Sequence, residues 1–513
     1  MFPEMNLVSA FAVAAKRNRD KAAIFYGETE FSYGRLWSQT LWLGNHLQRE
    51  FGVRDGNRIG LWLKNSPQFV PALFGALQSG GVAVPINSFL KPAEVSQIVR
   101  DAGLEVLLVD GTMKEALAEL AATQPALKIF SVEDLPAAPE PATHPLVSRS
   151  ESDLAILIYS SGTTGLPKGI MLSHGNLLHN VESCRVVLEA AGTDRIAVVL
   201  PMFHSFMLCV GVLLPLLVGG SIVLVKSLHP PKSIIQEIIH RQATILPSVP
   251  QFFRMMCHDS VPVQLPLRMC ISGGAPLPGE ILREFTQKFP IPLIEGYGLS
   301  EASPVVAFNP LHGPWKAGSI GVPVTNVEVS VQDDAGKILP PAVTGEICVR
   351  GGNVMLGYWN QPEETARAMR GDWLLTGDVG HRDAEGFFYI TDRKKDMLLV
   401  NGINVYPREI EELIYEFPGI KEAAVVGQPD PRRGEQAVAF VSMNPGAALE
   451  EKDLLQFLRD KLADYKIPKR VHVLEKLPRN ATGKIVKTEL RKLRSDGSPS
   501  PIAVKDSEKT RAA

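Results

Sequence analysis

Residues 159–169 read YSSGTTGLPKG and combine hydroxyl side chains and glycines with one lysine, Lys168. Such residues suit phosphate binding, because glycine lets the backbone turn its N–H groups inward and serine and threonine hydroxyls donate to phosphate oxygens. The preceding run, LAILIY, predicts a buried strand that leads into this loop. A polar surface loop without a ligand is the alternative, and the string SGTTG alone does not exclude it.

The loop does not follow the Walker A pattern, G-x-x-x-x-G-K-[ST], in which lysine directly follows glycine. Leu166 and Pro167 separate Gly165 from Lys168, and Gly169 follows the lysine. A proline at this place would also disturb the helix N-terminus that a P-loop needs. The sequence therefore indicates a phosphate-binding loop of a different kind.

Three later strings follow this loop in order: GYGLSEASP (296–304), TGDVGHRDAEGFFYITDRKKDMLLVNGINVYPREIE (376–411) and LPRNATGKI (477–485). Together with YSSGTTGLPKG and the following LSHGNL, they resemble the motifs of the adenylate-forming enzymes. That superfamily includes acyl- and aryl-CoA synthetases, luciferases and the adenylation domains of peptide synthetases. The resemblance spans the chain up to its tail. Serines stand at Ser160 and Ser300 where the family usually has threonine, and both keep the hydroxyl.

The resemblance implies a reaction in two steps. A carboxylate attacks the α-phosphate of ATP and displaces pyrophosphate, and CoA then takes the acyl group with release of AMP. Since two anions must approach each other, positive charge and N–H donors have to lower the first barrier. The resemblance implies a catalytic role for Ser300 and a magnesium ion held by Glu301, a hard carboxylate for a hard cation. Alternatively, Glu301 only favours a helix N-terminus. The residues implied to hold the β- and γ-phosphates are Ser160, Ser161, Gly162, Thr163, Thr164, Gly165 and Lys168.

The resemblance also implies sites for the adenine and the ribose. Asp378 would accept hydrogen bonds from both ribose hydroxyls, and Arg393 would reach the ribose or a phosphate. Alternatively, Asp378 is only a turn aspartate and Arg393 only part of a surface ion pair. For the adenine slot, the alternative is a tight turn beside a core tyrosine. The residues implied to form the adenine slot are Gly273, Gly274, Ala275, Gly296, Tyr297 and Gly298.

Lys484, in NATGKI, is implied to pair with the substrate carboxylate and the α-phosphate during adenylation. A single lysine on a surface is ordinarily only solvated, so this role depends on the motif. The second step requires the lysine to leave, and family members rotate the small domain about the position that is Lys395 here. Gly402 would then face the CoA thiol, where a side chain would block the channel. The alternatives are a linker lysine and a hairpin glycine.

The type of carboxylic acid substrate is predicted from residues 201–220, PMFHSFMLCVGVLLPLLVGG. Amino-acid-activating relatives usually carry an aspartate after the phenylalanine, whereas this chain has His204, as fatty-acyl and aryl ligases do. His204 is expected to line or gate the pocket, and a packed core histidine is the alternative. A medium- or long-chain fatty acid is expected. An aryl acid of the cinnamate or benzoate type, an enzyme that loads a carrier protein, and a non-catalytic nucleotide-binding module are the alternatives.

The elements around these residues predict an α/β fold. Short β-branched runs alternate with helical patterns, which indicates α/β sheets with helices on their faces. We expect an N-terminal AMP-binding domain over residues 1–392, with a β-rich subdomain at about 320–392. A small mobile α+β domain is expected over 393–494, followed by a disordered tail over 495–513. The uncharged run at 206–225 contains Pro215 and the pair Gly219-Gly220, which predicts a buried helix, a turn and a strand in place of a membrane span.

The composition is that of a globular protein, with 513 residues, 45% of them hydrophobic, and a net charge of -2. This charge does not favour nucleic acid as a partner. Five cysteines without a C-x-x-C pair favour a reducing compartment, the cytoplasm, and the start of the chain does not have the pattern of a signal peptide. The predicted small-molecule partners are ATP, Mg²⁺, a carboxylic acid and CoA. Loose membrane contact and a homodimeric state are left open.

Overall fold

The computed structural model describes residues 5–139, 145–160, 168–227, 231–258, 261–401, 403–430, 432–480 and 484–493. Ser161–Gly165, Gly402 and residues 495–513, for which the sequence makes predictions, lie outside these ranges.

Two large sheets form the N-terminal domain, and both are mainly parallel. Their inner strands consist mainly of buried apolar residues, because helices cover both faces. The seven-stranded sheet has the order Gly357–Tyr358, Lys168–Ser173, Leu154–Ser160, Val82–Pro85, Arg58–Trp62, Val106–Val109, Lys128–Ser131. The nine-stranded sheet has the order Val322–Pro323, Val305–Phe308, Leu293–Gly298, Met269–Ser272, Ile245–Ser248, Arg195–Val198, Ser221–Leu224, Ala22–Tyr26, Thr29–Ser32.

Helices pack on these sheets and contribute most of the core between them. The alternation of strands and helices predicted from the sequence is therefore confirmed. The α-helices of this domain are Leu7–Arg17, Tyr33–Arg49, Phe69–Gln78, Pro92–Ala102, Lys114–Thr123, His174–Val187, Leu214–Val218, Pro231–His240, Pro250–His258 and Gly279–Lys288. Short 3₁₀ turns cover Gly111–Met113, Val132–Asp134 and Ser300–Ala302.

The uncharged run at 206–225 folds as a buried helix, a turn and a strand, as predicted. It begins with a π-helical segment, Met207–Leu213, which the sequence did not predict. An α-helix, Leu214–Val218, continues it and ends at Gly219, whose φ of 82° is the left-handed conformation that glycine favours. In the described part of the chain, no helix is long and apolar enough to cross a membrane.

A third sheet is antiparallel and gives the N-terminal domain a β-rich part, while the expected bounds of about 320–392 stay a prediction. Val327–Gln332 pairs with Gly345–Gly351, which pairs with Trp373–Arg382. Trp373–Arg382 also pairs with Met369–Arg370 and with Phe388–Arg393. A short helix, Pro362–Ala368, precedes this last part of the sheet.

The C-terminal domain has its own sheet and its own buried cluster, which includes Val425, Ala439 and Leu454. Its strands are Leu398–Val400, Ile403–Val405, Ile420–Asp430, Gly434–Met443 and Arg470–Val473, and its helices are Pro407–Tyr415, Glu451–Arg459, Lys487–Leu490 and the 3₁₀ turn Asp464–Lys466. The α+β character expected for this part of the chain is confirmed. The exact boundary near residue 393 stays a prediction.

Candidate active site

Asp378 lies where strands of two sheets meet. It is directly opposite Arg393 in the antiparallel ladder, and its Oδ1 lies 3.2 Å from Nε of Arg393. Tyr297, near the end of a strand of the nine-stranded sheet, donates its hydroxyl hydrogen to Oδ2 of Asp378 at 2.5 Å. The carboxylate is 6% exposed, yet both of its oxygens have a partner. The structure thus brings together three residues that the sequence assigned to adenine and ribose.

The glycines of the expected adenine slot are explained first by contacts within the protein. A Cβ at Gly296 would lie 2.2 Å from Cε1 of Phe308, and one at Gly298 would lie 2.1 Å from the carbonyl oxygen of Pro304. A Cβ at Gly273 would lie 3.1 Å from the ring of Phe206. Positions 296 and 298 therefore require glycine whether or not a nucleotide binds, and position 273 is tightly packed. The contact of all three with adenine stays a prediction.

Two further members of the predicted slot, Gly274 and Ala275, follow the strand Met269–Ser272. Gly274 is exposed and has a φ of 77°, which a side chain would strain. Ala275 is half-buried. Both residues lie in the loop that joins this strand to the helix Gly279–Lys288.

Ser300 and Glu301 begin a 3₁₀ turn after the strand that carries Tyr297. The hydroxyl of Ser300 lies 2.9 Å from that of Ser205, which joins this turn to the segment containing His204. Oε1 of Glu301 accepts a hydrogen bond of 3.0 Å from the hydroxyl of Tyr358. The turn is therefore fixed by side chains from two distant parts of the chain.

His204 is half-buried and neutral at physiological pH. Burial, together with the positive charge of Lys484, lowers its pKa to about 4. Its Nδ1 accepts a long hydrogen bond from the backbone N–H of Phe206, at 3.4 Å. The histidine therefore adds a polar but uncharged surface near the lysine.

Lys484 comes from the C-terminal domain and lies within electrostatic reach of the ribose residues predicted above. Its backbone N–H donates to Oδ1 of Asn480 at 2.9 Å, and its carbonyl oxygen accepts from the N–H of Asn480 at 2.9 Å. Burial and the cations Arg393 and Lys395 lower the pKa of Lys484 to about 8, although the negative charge of Asp378 raises it. An ammonium group whose pKa is lowered by burial and by nearby cations is typical of a functional site.

Lys168 begins the strand Lys168–Ser173, and its backbone pairs with Ser160 across an antiparallel hairpin. The predicted phosphate loop lies between these two residues in the sequence. Nζ of Lys168 donates to Oε2 of Glu364 at 2.6 Å. Ser160 and Lys168 thus mark the two ends of the loop.

The expected hinge residue, Lys395, lies in a turn between Arg393 and the strand Leu398–Val400. The N–H groups of Asp396 and Met397 both donate to the carbonyl oxygen of Arg393, at 2.8 and 3.0 Å. Lys395 itself is exposed. A turn that is exposed at its centre and anchored at its start suits a rotation point, and the hinge stays a prediction.

Contacts between the two domains were not predicted. Arg254, on the helix Pro250–His258, is 6% exposed and donates to the carbonyl oxygens of Ile420 and Lys421. No motif flagged Arg254, because it pairs its side chain with backbone far away in the sequence.

Two further residues that the sequence did not predict contact members of the candidate site. Tyr358 and Glu364 contact Glu301 and Lys168, respectively. Neither residue lies in a motif, so no signal in the sequence indicated these contacts.

The protein ligands present fit a magnesium ion that is bound mainly by the phosphate oxygens of the substrate and by water. Among the described residues, no group of three or more His, Cys, Asp or Glu side chains could hold a metal by itself. Mg²⁺ commonly takes one or two protein carboxylates and completes its shell with water and phosphate oxygens. Glu301 can supply one such carboxylate.

Two sequence families match most of the chain. Residues 11–359 match the AMP-binding enzyme family, and residues 409–484 match the AMP-binding enzyme C-terminal domain. The chain belongs to the AMP-binding enzyme family. Within that family it is an AMP-forming ligase of the acyl-CoA ligase type.

Similar AMP-binding enzymes differ in the acid that their names specify. A long-chain-fatty-acid–CoA ligase of Bacillus subtilis (strain 168) is 34% identical, over 95% of this chain and 94% of the relative. A feruloyl-CoA synthase of an Amycolatopsis species is 36% identical, over 93% of this chain and 97% of the relative. The relatives therefore agree on the reaction class and disagree on the acid.

MatB from Rhodopseudomonas palustris has been solved both with ATP bound and in its apo form. ATP-bound MatB from Rhodopseudomonas palustris is 30% identical and superimposes with a TM-score of 0.87, over 95% of this chain and 98% of that chain. Apo MatB from the same organism is 31% identical and gives a TM-score of 0.76 over the same shares. The overall arrangement of this AMP-binding enzyme is thus more similar to the ATP-bound structure.

Proposed function

We propose that this AMP-binding enzyme activates a hydrophobic carboxylic acid, a medium- or long-chain fatty acid, with ATP and transfers the acyl group to CoA. The observation that carries the proposal is the position of Lys484. This cation of the C-terminal domain lies near Asp378 and His204 of the N-terminal domain, and near Arg393 at the expected boundary between the domains. In that place it can neutralise charge as the carboxylate approaches the α-phosphate.

The nucleotide is oriented by side chains whose positions are already fixed by contacts within the protein. The two oxygens of Asp378, held by Tyr297 and Arg393, accept the ribose hydroxyl hydrogens. Lys168 and the loop before it bind the β- and γ-phosphates. Glu301 holds Mg²⁺, which neutralises phosphate charge when bound.

The acyl group is assigned to the apolar segment that follows His204. Phe206, Met207 and Cys209 are 9, 0 and 0% exposed, and residues 205–225 contain no charged side chain. Without a counter-charge, an amino acid or a second carboxylate would be poorly bound. The segment therefore favours an uncharged hydrophobic acid.

For the second step, the C-terminal domain rotates about Lys395. Lys484 then leaves the cleft and Gly402 faces the thiol of CoA. The thiolate sulfur attacks the acyl carbon of the adenylate, and the bond from that carbon to the AMP oxygen breaks.

An aryl acid is the second candidate, since the feruloyl-CoA synthase is as similar in sequence as the fatty-acid ligase. Pyrophosphate release with acetate, octanoate, palmitate, benzoate and ferulate, each with and without CoA, separates the candidates. Octanoate or palmitate should give the highest kcat/KM. Preference for benzoate or ferulate would establish the aryl candidate, and pyrophosphate exchange without thioester formation would reject CoA as the acceptor.

A further inference from the structure

Tyr358 lies between two groups of the proposed ATP site that are distant in sequence. Its hydroxyl donates to Oε1 of Glu301 at 3.0 Å, and Nζ of Lys168 lies 5.2 Å from the centre of its ring. The side chain is half-buried. One residue outside every motif of the sequence thus contacts both the carboxylate and the lysine.

The backbone around Tyr358 is bonded to both motifs. The strand Gly357–Tyr358 pairs with the strand that begins at Lys168, and Tyr358 lies opposite Ile170. The N–H of Trp359 donates to the carbonyl oxygen of Gly169 at 2.7 Å, and the N–H of Met355 donates to that of Glu301 at 2.9 Å. The position of the tyrosine is therefore fixed relative to both groups.

The ammonium of Lys168 is held in place over the ring. Glu364, on the helix Pro362–Ala368, accepts its hydrogen bond at 2.6 Å. An ammonium within about 6 Å of a ring centre is attracted to the face of the ring. It has three N–H donors, so the bond to Glu364 leaves two for phosphate oxygens.

We propose that Tyr358 is a positioning residue for both groups, a role that rests on the proposed function. Its hydroxyl fixes one oxygen of Glu301 and so directs the carboxylate towards the metal. Its ring fixes the ammonium of Lys168. Groups ordered before binding lose less conformational freedom when the ligand arrives, and partners of metal ligands commonly change metal affinity when removed.

The two effects separate experimentally, because Tyr358→Phe removes the hydroxyl and keeps the ring. We would measure Mn²⁺ binding by electron paramagnetic resonance in the presence of the α,β-methylene analogue of ATP, and binding of this analogue without metal by calorimetry. Tyr358→Phe should bind Mn²⁺ about tenfold more weakly, with metal-free binding of the analogue unchanged. Tyr358→Leu should in addition weaken metal-free binding by about two- to fivefold, because Lys168 loses the ring.

Tyr389→Phe is the matched control, since the hydroxyl of Tyr389 faces Asp383 at 3.4 Å, away from Glu301 and Lys168. It should leave both measurements unchanged. Wild-type Mn²⁺ affinity in Tyr358→Phe would overturn the proposal. An equal loss of Mn²⁺ and metal-free analogue binding would also overturn it, because the hydroxyl would then only maintain the local fold. Failure of the proposed function would appear separately, as wild-type enzyme that no acid stimulates to exchange pyrophosphate.

Discussion

The guanidinium of Arg254 in the N-terminal domain donates a hydrogen bond to the backbone carbonyl oxygen of Ile420 in the C-terminal domain, at 2.8 Å. A second donor of the same side chain reaches the carbonyl oxygen of Lys421. Both contacts exist in the orientation that brings Lys484 to Asp378. We therefore expect them to stabilise the arrangement proposed for adenylation.

Replacing Arg254 by alanine should selectively slow adenylation. Hydrogen bonds to a charged group contribute about 1.5–3 kcal/mol, so acid-dependent ATP–pyrophosphate exchange should fall about tenfold or more. CoA transfer from supplied acyl-adenylate should be retained, since that step uses the other orientation. Arg283→Ala, an exposed arginine on the neighbouring helix, is the control. Equal losses in both half-reactions would contradict the assignment.

The pH dependence of adenylation should report the ionisation of Lys484. Because its pKa is lowered to about 8, the ammonium is lost as the pH rises through 8, and kcat/KM for ATP should fall there. His204, with a pKa near 4, stays neutral over this range. Lys484→Arg keeps its charge and should move the descending limb to higher pH. An unchanged limb in this variant would assign the ionisation to another group.

Glu295 should make the fold less stable at higher pH. Burial raises its pKa to about 7 although Arg408 opposes the shift, and its carboxylate accepts the N–H of Leu277 at 3.0 Å. Because the folded pKa exceeds the ordinary value of 4.5, the folded state binds more protons between pH 4.5 and 7. Stability therefore falls as the pH rises through this window, by up to about 3 kcal/mol.

Glu295→Gln keeps an oxygen for the N–H of Leu277 and removes the charge. Chemical unfolding at pH 5 and pH 8 should show a smaller difference in the variant than in the wild type, with a gain in stability at pH 8. The same pH difference in both proteins would show that Glu295 does not ionise in this way.

Fixing the backbone at Lys395 should impair the second step. Lys395→Pro locks φ and restricts Lys394, whose N–H donates to the carbonyl oxygen of Gly377 at 2.8 Å. Thioester formation should fall more than pyrophosphate exchange, while Lys395→Ala should retain both. If proline reduced the two half-reactions in parallel, the hinge would not lie at this residue.

Much of the fold was predictable because it depends on local patterns. Apolar runs such as LAILIY and RMCIS become the strands Leu154–Ser160 and Met269–Ser272, and the pair Gly219-Gly220 ends a buried helix as expected. The π-helical segment Met207–Leu213 was not predicted, because a uniformly apolar run has no periodicity that distinguishes it from an α-helix.

The candidate site was predictable only where its residues lie in motifs. Asp378, Arg393 and Tyr297 were assigned from such strings, and the structure brings them together. Contacts such as that of Lys168 with Glu364, 196 residues away, leave no local pattern. The sequence allowed two explanations for the glycines at 296 and 298, and their packing against Phe308 and Pro304 is visible only in the folded structure.

The most direct test of the central claim compares the two half-reactions of Lys484→Ala. The account predicts that acid-dependent ATP–pyrophosphate exchange falls about 10²–10³-fold, the effect of losing one transition-state donor, while CoA transfer from supplied acyl-adenylate remains near the wild-type rate. Full exchange activity in the variant, or an equal loss in both steps, would contradict it.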